Sequence, residues 1–121
     1  MEKQVPEIFE SEYLLMHLIW DEGSVRMRDL TAIALSVHGW QRTTVYTMIK
    51  RLSERGVVDF TDSVVTPLFT KEQVQLAKAR EFVDYYFDGK VSALLEAFAD
   101  RKKIRKDDAA RIREIMKHYA K

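Results

Sequence analysis

The stretch Trp40-Gln41-Arg42-Thr43-Thr44-Val45-Tyr46-Thr47-Met48-Ile49-Lys50-Arg51-Leu52-Ser53-Glu54-Arg55-Gly56 decides how the rest of the chain is read. Val45, Met48, Ile49 and Leu52 recur at spacings of three and four, the repeat of one helix face, and Gly56 is placed to stop the helix. With those four turned inward, Thr43, Tyr46, Thr47 and Lys50 point outward. Gln41 and Arg42 stand at the N-terminal end. These side chains suit the edges of base pairs: Arg for guanine, Gln for adenine, threonine methyls for the thymine methyl. The same pattern also describes an ordinary amphipathic helix with a wet face, so the flanking sequence has to decide.

Upstream, a helix is predicted from about Arg28 to His38, burying Leu30, Ile33, Ala34 and Val37 and closed by Gly39. The link Val37-His38-Gly39-Trp40-Gln41 is a glycine-containing bend between two helices. An earlier helix is predicted from Ser11, with Ser11 as its cap, Glu10 and Glu12 at its positive end, and Tyr13, Met16, Ile19 and Trp20 at helical spacing before Gly23. Val25-Arg26-Met27 reads as a short extended link. Downstream, Val57 to Phe69 reads as two short strands about an Asp62-Ser63 turn, with Pro67 at an exit or an edge. Three more helices follow, at about Lys71 to Phe87, Val91 to Ala99 and Asp108 to Tyr119, the last capped by Asp107. Three short helices and a hairpin form a winged helix, a helix-turn-helix variant. The predicted fold is therefore mainly α with a small β-hairpin wing. Residues 1–70 form an N-terminal winged helix-turn-helix, and residues 71–121 a C-terminal three-helix dimerisation arm.

Composition narrows the function classes. The 121 residues are 46% hydrophobic and 32% charged, which excludes a disordered chain and an integral membrane protein. The longest run without Asp, Glu, Lys or Arg is twelve residues, Leu30 to Gln41, well short of the about 20 that a membrane span needs. Glu2, Lys3, Glu7, Glu10 and Glu12 argue against a secretory leader, and a cytoplasmic protein with no direct membrane insertion is expected. Cysteine is absent, which excludes disulfides, thiolate metal sites and cysteine nucleophiles. The net charge of +1 hides an asymmetry: residues 1–70 are net −3 and residues 71–121 net +4. Within the acidic half, Ser24 to Gly56 carries six basic and two acidic side chains. Arg26, Arg28, Thr44, Arg51 and Arg55 are the candidates there for phosphate contacts, beside the base-reading set Gln41, Arg42, Thr43, Tyr46, Thr47 and Lys50.

The C-terminal helices carry Phe82, Tyr85, Tyr86, Phe87, Leu94, Leu95 and Phe98, with Ile112 and Met116 farther on. Left open to water these would make a large apolar patch, and such patches mark interfaces. The helices either fold back on the winged helix or pair with a second copy, and a symmetric homodimer is the commoner outcome. Arg101-Lys102-Lys103-Ile104-Arg105-Lys106 reads as a solvated connector. His17, His38 and His118 have no paired spacing for zinc, no glycine-rich phosphate loop or nucleophile motif is present, and Asp107-Asp108 looks like capping. No enzyme, no metal and no cofactor is expected.

With these residues in view, Trp40 to Gly56 resembles the recognition helix of the penicillinase-repressor family, the BlaI/MecI/CopY type. Ser11-Glu12-Tyr13-Leu14-Leu15-Met16-His17-Leu18-Ile19-Trp20 is similar to that family's first helix, with Tyr13 where a Trp is usual. The segment from Phe82 to Phe98 is similar to its dimerisation arm. The resemblance implies a winged-helix repressor that dimerises through its C-terminal helices and binds a dyad-symmetric DNA operator. In the antibiotic-responsive branch a membrane sensor protease leads to cleavage just before a Phe, and the matching bond here is Ala97–Phe98. The copper branch binds metal through cysteine pairs, which this chain lacks. Two departures stand out. The family's usual Lys directly before the Thr that precedes Val45 is Thr43 here, with Arg42 one position earlier. The wing is short and acidic, with Asp59 and Asp62 and no Lys or Arg from Val57 to Thr70. Such a wing repels phosphate, which predicts salt-sensitive DNA affinity or docking by the helix alone. It also keeps open an alternative, a winged-helix dimerisation or protein-interaction module that has lost tight DNA binding.

Overall fold

A computed structural model describes residues 4–119; Glu2 and Lys3 lie outside the described residues. The elements run α1 (Glu10–Glu22), β1 (Val25–Arg26), α2 (Met27–His38), α3 (Arg42–Glu54), β2 (Val58–Thr61), β3 (Val64–Pro67), α4 (Lys71–Phe87), α5 (Val91–Asp100) and α6 (Lys106–Tyr119). Two compact units divide between Ala77 and Lys78, inside α4, rather than at the expected 70/71 boundary. The first turns of α4 belong with the N-terminal unit because Val74 is fully buried in its core.

That core is built from one stripe of each of three helices. Leu15, Met16 and Ile19 come from α1, Met27, Leu30 and Ala34 from α2, and Val45, Met48, Ile49 and Leu52 from α3. Val57, Val58, Val65 and Phe69 close it from the hairpin side. The half-buried Trp20 packs against this core, and its indole N–H donates to the Phe69 carbonyl at 2.9 Å, tying α1 to the chain leaving the wing. Val37 is 58% exposed, contrary to expectation, since the last turn of α2 runs past the core cluster, whose α2 members end at Ala34. Gly39 then adopts φ 69°, the left-handed conformation that ends a helix, and its N–H donates to the Leu35 carbonyl at 2.9 Å.

The first helix does not start at Ser11. It begins at Glu10 with Phe9 as cap residue, and the Glu12 carboxylate accepts the Phe9 N–H at 2.9 Å. A glutamate in the third helical position reaching back in this way replaces the serine cap.

The hairpin is as short as the sequence predicts. Asp62 and Ser63 have φ 54° and 62°, both left-handed, as a two-residue turn between right-twisted strands requires. The register pairs Val58 with Pro67, Phe60 with Val65 and Thr61 with Val64. The expected extended link at Val25-Arg26-Met27 is instead a third strand followed by the start of α2. β1 pairs antiparallel with β3, Val25 opposite Val65 and Arg26 opposite Val64, which gives the order β1-β3-β2. Val25 is buried by that pairing, and the Met27 N–H donates to the Ser63 carbonyl at 2.8 Å. Pro67 ends β3 beyond its pairing with β1, where a missing N–H breaks no ladder bond on that side.

The C-terminal unit holds the end of α4 with α5 and α6. Among its described residues Val83 is the buried apolar side chain, and neither α5 nor α6 contains a buried residue. Leu94, Leu95 and Ile112 are half-buried, whereas Phe82, Tyr85, Tyr86, Phe98 and Met116 are exposed, Tyr85 at 79%. α6 starts at Lys106, so Asp107 lies in its first turn rather than before it, and its carboxylate accepts the Asp108 N–H at 3.0 Å. The Ala97–Phe98 bond lies within α5.

Candidate nucleic-acid interface

The outward face of α3 follows from the burial of its inner one. Val45, Ile49 and Leu52 are fully buried and Met48 nearly so, which leaves Arg42, Thr43, Thr44, Tyr46, Thr47, Lys50 and Arg51 exposed. Gln41 precedes the first turn in an extended conformation and is exposed. The Arg42 guanidinium lies 5.5 Å from the centre of the Tyr46 ring, one turn on. A guanidinium over an aromatic face is held in orientation while its N–H fork stays open. The Thr47 hydroxyl donates to the Thr43 carbonyl at 2.9 Å, so Thr47 offers outward a methyl and an acceptor rather than a donor. The fold thus brings all six base-reading candidates onto one end and one face of α3.

The phosphate candidates fall on different sides. At about 100° per residue, Tyr46 lies on one flank of the outward face, and Thr44 and Arg51 on the other. On the Tyr46 side, Arg26, Arg28, Asp62 and Ser63 border a cleft of about 390 Å³ with it. The tie between Met27 and the wing turn places the arginines there. The exposed Arg28 lies 4.0 Å from Asp29.

Arg55 is not available to phosphate, and this corrects the sequence reading. Its guanidinium forms a two-pronged ion pair with Glu12, one N–H donating to Oε1 at 2.9 Å and the other nitrogen meeting Oε2. It also donates to the Glu7 carbonyl and lies 5.2 Å from the centre of the Phe9 ring. Glu12 is only 3% exposed. Burial alone would raise its pKa, but the Arg55 pair, the Phe9 N–H and the nearby charge of Arg51 outweigh it and hold the carboxyl below its ordinary value. The same hydrogen bond raises Arg55 further. The pair joins the first turn of α1 to the C-terminal end of α3. From sequence Glu12 is placed only at the positive end of the first helix, although a signal for its burial is present: it lies three, four and seven residues before Leu15, Met16 and Ile19, on the apolar stripe itself.

Phe60 was also missed. It is exposed on β2 and forms a shallow groove with Tyr46, Thr47, Lys50, Ser53 and Glu54. Its place could have been read from the two-residue period that buries Val58. Asp59 and Asp62 are exposed, so the wing surface is acidic in the fold as in the sequence. Among the described residues no group of three or more His, Asp or Glu side chains could hold a metal ion, and no helix is long and apolar enough to cross a membrane.

The model of the penicillinase repressor family matches residues 8–118. The chain belongs to the penicillinase repressor family. A Latilactobacillus sakei protein described as an uncharacterized 16.5 kDa protein in the ptsI 3' region is 36% identical over 56 residues. That match covers 46% of this chain and 38% of the relative, so the chain spans well under half of that relative's length. Among solved structures, the DNA-binding domain of the repressor BlaI is similar with a TM-score of 0.53 and 25% identity, over 60% of this chain and 93% of that one. The chain is thus a winged-helix member of a family of transcriptional repressors, mainly α with a hairpin wing.

Proposed function

We propose that this member of the penicillinase repressor family is a cytoplasmic, homodimeric repressor that lays α3 in the major groove of a dyad-symmetric DNA operator. One observation carries the reading: a helix with four buried apolar residues presents Arg42 stacked on Tyr46, Thr43, Thr47 and Lys50 on its exposed side, with Gln41 at its start. Base edges are read by this set, and Arg26, Arg28, Thr44 and Arg51 hold phosphates beside it. Dimerisation runs through Phe82, Tyr85, Tyr86, Leu94, Leu95, Phe98, Ile112 and Met116. Support for that comes from the C-terminal unit: a helical unit with so little buried apolar surface gains its stability by covering the rest against a second copy. Cleavage of Ala97–Phe98 by a membrane sensor protease would cut α5 and remove Phe98 from that interface.

A gel-shift series tests the reading, using a duplex from the region upstream of the chain's own gene. Arg42→Ala and Tyr46→Ala should each weaken the complex by roughly 5- to 150-fold and relax its sequence preference, the about 1–3 kcal/mol that a good base contact discriminates. Unchanged affinity and preference would remove α3 from the interface.

A second reading rests on the acidic wing: a winged-helix interaction module without tight DNA binding. No complex at any salt concentration would favour it. A specific complex instead loses affinity with salt at a log–log slope of about −0.9 per phosphate contacted.

A further inference from the structure

On the flank of α3 away from Arg26 and Arg28, a second cleft of about 370 Å³ opens between α3 and the first turn of α1. Ser11 borders it from α1, Trp40 from the link before α3, and Thr44 and Arg51 from α3 itself, with Thr43 and Thr47 joining it to the base-reading face and Met48 at its floor. Ser11, Thr44 and Arg51 bring hydrogen-bonding or cationic tips, and Trp40 brings a flat surface. Ser11, Thr44 and Arg51 are exposed, so their tips reach solvent. Trp40 is half-buried and stacked on His38 with centroids 4.4 Å apart, which fixes its ring as a wall of the cleft. The nearest buried acid, Glu12, has both carboxylate oxygens gripped by Arg55, and Arg51 acts on it only through its nearby charge, which leaves the exposed Arg51 guanidinium open to a ligand from outside.

We infer that this cleft binds the sugar–phosphate backbone of DNA, with Ser11, Thr44 and Arg51 on a phosphate and Trp40 against the adjoining deoxyribose. A helix in the major groove has a phosphate wall on either side of it. The two clefts border opposite flanks of α3, so each takes one wall. The acidic wing then weakens one side of the grip and leaves the other untouched: Asp62 borders the cleft whose arginines come from the β1–α2 corner, and the other cleft uses α1 and no wing residue. Ser11 thereby becomes a DNA-contacting residue, and Trp40 a backbone-packing one, neither of which the face of α3 includes. The inference rests on the proposed repressor reading and extends it to α1.

Ethylation interference tests it on a duplex that the wild-type chain selects from a randomised pool. Wild type should show blocked phosphates on both strands beside the α3 groove. Ser11→Ala and Arg51→Gln should each abolish interference at the same phosphate of each half-site, on one wall of its groove, and leave the phosphates of the other wall unaffected. Arg51→Gln should also weaken binding about equally on all sequences and reduce the salt slope by about one contact. Circular dichroism melting checks that both variants, altered at exposed positions, keep the wild-type fold. An unchanged interference pattern in the two folded variants would overturn the cleft while leaving the repressor reading in place. Failure of the wild-type chain to enrich any sequence would overturn both.

Discussion

The Glu12–Arg55 pair shows how a single contact assigns two residues that look alike in sequence. Arg51 and Arg55 are one turn apart at the end of α3, yet one is exposed and the other is closed around a buried carboxylate. Removing one partner of such a pair leaves the other charged and poorly solvated, so Glu12→Gln should cost roughly 2–4 kcal/mol at neutral pH. The pH dependence has a definite sign. Glu12 has a lowered pKa in the fold, so its contribution is complete above the ordinary carboxyl value of 4.5 and is lost as pH falls through that value and below it. Urea unfolding of wild type and Glu12→Gln at a series of pH values should therefore show a stability gap that narrows in acid. A gap that stays constant from pH 7 to about pH 3 would contradict the pairing.

The wing is an element whose charge opposes the task proposed for the domain. Its strands pair in full register, and its tip is pinned to α2 through the Met27–Ser63 hydrogen bond, so it does not project as a long basic finger. Asp62 borders the same cleft as Arg26 and Arg28, and Asp59 lies exposed on β2. Replacing both with Asn removes two negative charges while keeping a residue type that tolerates the left-handed turn and can accept the Thr61 hydroxyl. The double variant should bind duplex DNA about fivefold more tightly at low salt. The gain should fade near physiological ionic strength, where the screening length is about 8 Å. Equal affinity at every salt concentration would place the wing away from the DNA. The hairpin was legible in the sequence because Asp62-Ser63 between two β-branched runs is local turn chemistry. The third strand was not, because two residues carry no periodicity, and Val25 becomes a strand only when Val65 returns beside it forty residues later.

For the molecule as a whole, the two units differ in how much apolar surface they cover. The N-terminal unit has a core with contributions from three helices, the wing and α4, whereas the C-terminal unit leaves five large apolar or aromatic side chains of the expected interface exposed. Paired half-sites multiply affinity by about 10²–10⁴ when both can engage at once. A chain ending at Ala97 loses Phe98, Ile112 and Met116 together. It should have monomer mass by light scattering and bind a dyad operator at least about 100-fold more weakly than the full chain. A truncated chain that kept dimer mass would exclude the arm as the interface.

The winged-helix order, the inner and outer faces of α3 and the two-residue hairpin all follow from residues within a few positions of one another. Helical period, strand alternation and turn preference are local properties, and a linear text displays them directly. Three matters waited on the folded chain: Arg55 closing on Glu12, β1 joining the sheet, and Ser11 and Trp40 lining a cleft with Arg51. Each joins groups far apart along the chain, and the free energy that selects such a contact depends on burial and on which partners arrive, neither of which a local pattern encodes.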